Sequence, residues 1–364
     1  MSYVLAFLGF VALIILHEFG HFAVAKAVGM RVERFSLFMG PLLVKVRRGE
    51  TEYGIGPLPV GGYVKITGMN PHEEMPPEVV PRAYYNQPVW KRIVVILAGP
   101  AMNLLIAFFI VWGLALSQGQ PATSGGQPVL NRQVFSVEAG TPAASVLRPG
   151  DKVVSVDGVS SSAEAIRQQL ATHRCAGSQV NGCPAATAAK VVVERDGHEL
   201  TFNIRPRYVA ADKRPELGFS FGQATEPVGL LHAASISVSY LWSTGTRTVS
   251  TVVRIFEPQE RKQLHSIVYG YTATQESFAT STTLALTVLA LISLSLAIIN
   301  LFPFLPLDGG HVFWAVAEKV RGKRIPFEIM ERAGVVGFVL ILMIFVIGLT
   351  NDISTLSGPG IGIR

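Results

Sequence analysis

Two histidines four residues apart, His17 and His21, with Glu18 directly after the first, form an H-E-x-x-H sequence in a stretch that otherwise reads as helix. A spacing of four puts both imidazoles on one helix face, where they can ligate one Zn2+, with Glu18 beside them as a carboxylate that does not ligate. The chemistry this suits is hydrolysis, in which Glu18 takes a proton from a water at the metal and hands it to the leaving amine. A catalytic zinc keeps three protein ligands and one open position, so a third ligand must come from elsewhere in the chain. Asp308 is the candidate, in Asn300-Leu301-Phe302-Pro303-Phe304-Leu305-Pro306-Leu307-Asp308-Gly309-Gly310-His311. The plainer reading of Asp308 is a helix cap or turn, favoured by the glycine pair behind it. His311 is the rival ligand, read instead as supporting the site or capping a helix. His72, His173, His198, His232 and His265 read as ordinary surface residues.

The elements that must carry these residues are membrane spans. The chain has 364 residues, 49% hydrophobic and 15% charged, with a mean hydropathy of +0.39, too apolar for an ordinary soluble protein of that size. Four candidates appear: Tyr3 to Leu16 continuing through the histidines to Val28, Ile93 to Leu116, Thr282 to Leu301, and Gly334 to Leu349. A bilayer demands roughly 20 residues, which the first reaches only by including His17, Glu18 and His21. Ionisable residues inside a span are by default functional. A secretory signal peptide is the competing reading of residues 1 to 28, but no basic stretch precedes the apolar run and no small-x-small cleavage site follows it. Pro303 and Pro306 lie just beyond the third span; they cannot continue a helix, so an extended stretch beside the metal is expected, able to pair with an unwound substrate.

The net charge of +6 follows topology rather than nucleic acid. Basic residues fill the loop after the first span, from Lys26 to Arg92, and the loop before the last, from Lys319 to Arg332. The positive-inside rule makes both loops cytoplasmic and places the amino terminus, residues from about 118 to 281 and the carboxyl terminus outside. Cys175 and Cys183, the only cysteines, fall in that outside segment, where a disulfide is permitted and two free thiols are the alternative.

Residues 32 to 66 alternate apolar and polar around turn signals and read as short strands. Non-helical backbone at membrane depth needs cover from protein or a wet cavity, so these strands form either a sheet reaching back to the active site or a plain cytoplasmic hairpin. Residues 119 to 208 read as a soluble insert, with the Pro149-Gly150-Asp151 turn leading into a strand and a helix over Ala163 to Leu170. This order resembles a PDZ domain of the bacterial protease kind, which binds extended peptide ends on a sheet edge. Val228 to Phe256, peppered with Ser and Thr, is expected to be amphipathic at the outer membrane surface, because a fifth span would put His21 and Asp308 on opposite sides.

The sequence over nearly its whole length resembles the site-2 protease family. The residues that carry this are H-E-x-x-H in the first span, Gly99-Pro100-Ala101-Met102-Asn103 in the second, the PDZ-like insert, and the Asn300 to Gly309 stretch after the third. The resemblance implies an intramembrane zinc metalloprotease of the bacterial four-span subgroup, cutting single-span membrane proteins such as anti-sigma factors after a first protease has removed their outer part. It also implies that Asn300, Asn103 and Pro303 lie at the substrate and that residues 32 to 66 present substrate to the metal. Two residues separate Pro303 from Pro306 where many members have one, which leaves the Asp308 assignment intact and the part played by Pro306 open.

The expected architecture is a polytopic α-helical membrane protein of the cytoplasmic membrane with a β-rich loop and an α+β insert. Residues 1–118 hold two spans, 119–208 the insert, 209–281 an amphipathic linker, and 282–364 two further spans. Its partners are the lipid bilayer and membrane-protein substrates, not nucleic acid, and its active site faces the cytoplasm. A non-catalytic PDZ receptor with a structural metal, and a zinc transporter, are the competing functions; neither needs Glu18 next to its ligands.

Overall fold

A computed structural model describes residues 1–70, 72–124, 127–254, 257 and 266–356. It divides into one compact unit of residues 1–116 with 229–364 and another of residues 117–228.

Among the described residues, four helices are long and apolar enough to cross a membrane: α1 (Ser2–Ala27), α2 (Val89–Gln118), and two others at Thr282–Asn300 and Phe327–Leu356. Much of their apolar surface faces outward, as with Phe7 and Leu8 of α1 and Val335, Val336, Phe338 and Val339 of the last helix, which suits lipid as solvent. The inward stripe of α1 is Leu13, His17, Gly20, His21 and Ala25, spaced by three and four as one helix face requires. The histidines therefore sit on the packed side of the helix, against α2.

Between α1 and α2 the alternation read in the sequence becomes four strands, β1 (Val32–Met39), β2 (Val44–Arg48), β3 (Thr51–Ile55) and β4 (Leu58–Ile66), in the order β2-β3-β1-β4. β1 runs parallel to β3 and antiparallel to β4, leaving β4 as an edge. Ala25, Met30, Val32, Ile66, Tyr84, Val95 and Ile96 form the core that fixes this sheet against α1 and α2.

The second unit is a five-stranded sheet of β5 (Leu130–Val137), β6 (Lys152–Val156), β7 (Ala189–Arg195), β8 (His198–Ile204) and β9 (Phe219–Gln223), in the order β8-β7-β6-β5-β9, with α3 (Ala163–Ala171) packed on it. The expected end of the insert at 208 is too early. Phe219–Gln223 pairs with β5 and, with Leu217 and Phe221 buried, completes the sheet. Cys175 and Cys183 are joined as a disulfide. His173, expected at the surface, is buried and bonded through Nε2 to Asp157 (2.7 Å) and Nδ1 to Thr187 (2.8 Å); a polar ring in that position needs both partners. His265 lies outside the described residues.

Among the described residues the first unit continues with α4 (Leu230–Val253), α5 (Ile267–Thr280), α6 (Thr282–Asn300, the third apolar helix), α7 (Asp308–Arg321) and α8 (Phe327–Leu356). α4 does not keep to one end of α6. The indole N–H of Trp112 donates to the Leu230 carbonyl at its start, and a Cβ on Gly245 would meet Ile298, two residues from the far end of α6. The packing runs α4 along α6; among the described residues α4 is not one of the helices long and apolar enough to cross a membrane.

Candidate metal centre

His17 and His21 reach the same point as Asp308, whose helix α7 starts after the irregular 301–307 segment. Asp308 Oδ2 is 3.4 Å from His17 Nε2 and 3.3 Å from His21 Nε2, and it is buried without a hydrogen-bond partner. Three donors at the corners of a tetrahedron with zinc bonds of about 2.0–2.1 Å stand about 3.3 Å apart. The two-nitrogen, one-oxygen set thus fits a zinc ion with one position left open, and the unpartnered Asp308 oxygen is the atom such an ion would satisfy.

The far side of each imidazole is held by α2. His21 Nδ1 lies 2.9 Å from the Val95 carbonyl. A carbonyl only accepts, so Nδ1 carries the proton and Nε2 keeps its lone pair toward Asp308. His17 Nδ1 lies 2.9 Å from the Asn103 amide nitrogen, while Asn103 Oδ1 is buried without a partner. Turning the amide by half a rotation lets Oδ1 accept from Nδ1–H, the tautomer in which His17 Nε2 is also free to ligate. Gly99 makes the approach possible, because a Cβ there would overlap His21 Nε2.

A cavity of about 420 Å3 opens beside the three donors, lined among others by Glu18, Tyr63, Met69, Asn300, Pro306 and His311. Glu18 enters it next to Gly62 of β4, where any Cβ would overlap Glu18 Cγ. The sequence-derived residues therefore separate by location. Glu18 and Asn300 are on the cavity wall with the three donors, whereas Asn103 is fully buried against His17 and Pro303 is exposed away from that wall. Pro306, whose part the sequence left open, lines the cavity, and its peptide bond to Leu305 is cis. His311 lies on the same face of α7 as Asp308 and lines the cavity without joining the donor cluster.

Residues that sequence reasoning missed are those acting through space. Val95 contributes only a carbonyl, and Gly62 and Gly99 only the absence of a side chain. The glycines in Gly61-Gly62 and Gly99-Pro100 were visible signals of close approach, but the sequence does not say what approaches.

The sequence model described as peptidase family M50 matches residues 5–344. Among curated proteins, the zinc metalloprotease Rip1 of Mycobacterium tuberculosis is 32% identical over 351 residues, covering 84% of this chain and 83% of its own. Proteins bearing the zinc-metalloprotease name in Nostoc sp. and Clostridium perfringens are each 30% identical over 357 residues. The first alignment covers 94% of this chain and 93% of the relative, the second 97% and 98%. With the family match running through both ends of the metal centre, the chain belongs to peptidase family M50, the site-2 protease family, and is a zinc metalloprotease of the membrane.

Proposed function

We propose that this enzyme cuts peptide bonds within or beside the transmembrane segments of single-span membrane proteins, anti-sigma factors among them, after a first protease has removed the substrate's outer part. The observation that carries the reading is that Glu18 and three convergent donors, His17, His21 and Asp308, share one cavity with the edge strand β4.

In this reading His17, His21 and Asp308 hold Zn2+, and Asn103 and the Val95 carbonyl fix the two imidazoles. When bound, zinc supplies Lewis acidity toward a water and toward the scissile carbonyl. Glu18 accepts the proton of the attacking water and returns it to the leaving nitrogen. A substrate helix shields its peptide bonds, so the segment must unwind before it can be cut. β4 offers it backbone partners along its free edge, and Asn300 contributes an amide on the cavity wall. Pro306 lies next to that path.

The insert is read as a PDZ-type domain facing the outside of the cytoplasmic membrane, with the zinc centre toward the cytoplasm. A groove of about 300 Å3 between α3, through Arg167 and Leu170, and the residues from Glu216 to Phe221 supports that reading, since β9 is an edge strand.

The test is cleavage of a tagged, already truncated single-span anti-sigma factor in membranes carrying the wild-type chain or Glu18→Gln, with bound zinc quantified in both. The expected result is a loss of about 10²–10⁴-fold in rate with zinc retained. Equal cleavage by both chains removes Glu18 from the mechanism, and no cleavage by either removes this substrate class.

A further inference from the structure

One stripe of α2 touches both imidazoles of the candidate zinc centre and the helix that carries its third donor. Asn103 meets His17, the Val95 carbonyl meets His21, and Arg92, on the same face three residues before Val95, meets Glu318. Glu318 belongs to α7, the helix that begins with Asp308. On α7 the spacing of three and four places Asp308, His311, Ala315 and Glu318 on one face, and that face lines first the catalytic cavity and then a second cavity of about 240 Å3.

Arg92 and Glu318 form a forked pair, with Nη2 2.8 Å from Oε1 and Nη1 3.0 Å from Oε2. Only 7% of the Arg92 side chain and 18% of the Glu318 side chain is exposed. Among the described residues, this is the one ion pair joining α7 to another helix apart from the contacts of Asp308 itself. The N-terminus of α7 has no side-chain cap; its glycines lie close against the irregular 301–307 segment and Val312 packs on the core between α1 and α2, and the fork adds a directional contact near the other end of the helix.

We infer that the Arg92–Glu318 pair is a positioning device for Asp308. By fixing the rotation and depth of α7 against α2, it sets the carboxylate at the distance from the two imidazoles that a metal needs. The inference rests on the reading of His17, His21 and Asp308 as the zinc ligands. Two features favour position over adhesion. The fork fixes an angle as well as a distance, which a lysine or an apolar contact does not. The pair is also poorly designed as adhesion, because Arg92 Nε is buried without a partner, and buried ion pairs are commonly replaced by apolar residues with no loss of stability.

That last point supplies the experiment. The purified full-length protein is compared as wild type, Glu318→Gln, the apolar double variant Arg92→Met with Glu318→Leu, and Asp308→Ala. Thermal stability of the metal-free protein, zinc affinity by competition with a chelator, and the visible spectrum of the Co2+-loaded protein are measured for each. The expected result is that the apolar double variant melts with the wild type or above it, yet binds zinc about tenfold or more weakly and shows an altered Co2+ spectrum. Glu318→Gln, nearly isosteric, is expected to shift affinity and spectrum in the same direction by less, and it carries the test if the double variant does not fold. Unchanged affinity and spectrum in these variants, with Asp308→Ala losing both, overturns the positioning role and leaves the zinc reading standing. Wild-type affinity in Asp308→Ala overturns the zinc reading itself, and the inference with it.

Discussion

Gly62 of β4 and Glu18 of α1 stand so close in the cavity beside His17, His21 and Asp308 that a Cβ on the glycine would overlap Glu18 Cγ. The strand thus fixes where the proposed general base can lie. Gly62→Ala should push the carboxylate aside without touching the donors, and misplacement on the order of an ångström costs about 10²-fold in rate. Cleavage rate and zinc content measured together check this. An unchanged rate means Glu18 takes no direction from the strand, and a loss of zinc means the substitution reached the donors instead.

Gly99→Ala should act on the metal rather than on the base. Alanine is the better helix former by about 1 kcal/mol, so α2 itself gains. The added methyl, however, enters the space of His21 Nε2, the nitrogen turned toward Asp308. The expected outcome is a protein of wild-type or higher helix content that binds zinc at least about tenfold more weakly, read by circular dichroism and chelator competition. Full zinc affinity would show that the imidazole has room elsewhere.

How much of this was legible beforehand follows from what each signal is. His17, Glu18 and His21 declare themselves because their chemistry depends on spacing along one helix, which sequence records directly. Asp308 could be named only because zinc wants a third ligand and a motif lies beyond the third apolar run. Its distance from the imidazoles depends on α7, a helix with no long apolar signature. Arg92 and Glu318 are 226 residues apart, and nothing in the sequence marks them as partners. Strand β9 was missed because Phe219-Ser220-Phe221 is too short to announce a strand until β5 is there to pair with it. The Ser and Thr residues of α4 read in the sequence as a polar face. In the structure, several of those hydroxyls bond back to carbonyls of the preceding turn, as Ser237 does to Ala233 and Thr248 to Thr244, which hides their polarity from an apolar neighbour.

The 117–228 unit should weaken in acid through one carboxylate. Asp151, 2% exposed, receives two 2.7 Å bonds from Arg195 and one of 2.8 Å from the Arg148 backbone N–H. The Arg195 guanidinium, ahead of the Arg148 amide, holds its carboxyl below the ordinary value despite burial. A carboxyl depressed in the folded state stabilises fully above its unfolded value of about 4 and loses that contribution as pH falls through the lower folded value. Brief pepsin digestion of the intact protein between about pH 5 and pH 2, normalised to an unfolded control, should find this unit increasingly cleaved. Asp151→Asn should be cleaved more readily at the upper end of that range, having lost about 1.5–3 kcal/mol there, and should show a flatter pH dependence as the two proteins converge in acid. Equal profiles for the two proteins would assign acid sensitivity to other carboxylates.

Asn103 offers the sharpest separation between holding the metal and holding the substrate. The family resemblance implies contact with substrate, whereas in the structure the side chain is fully buried with its amide 2.9 Å from His17 Nδ1. Its backbone carbonyl is meanwhile held by Ser293 Oγ at 2.9 Å, so the main chain there is anchored whatever the side chain. Asn103→Ala removes the partner that orients His17 and leaves a buried ring nitrogen unpaired. If Asn103 acts through His17, zinc affinity falls about 10- to 100-fold, and saturating zinc restores most of the cleavage rate with KM near the wild-type value. If it contacts substrate, zinc affinity stays put and KM rises. Substitution by Asp, whose oxygen can only accept from Nδ1–H, should retain zinc binding in the first case and gives the second no reason to recover.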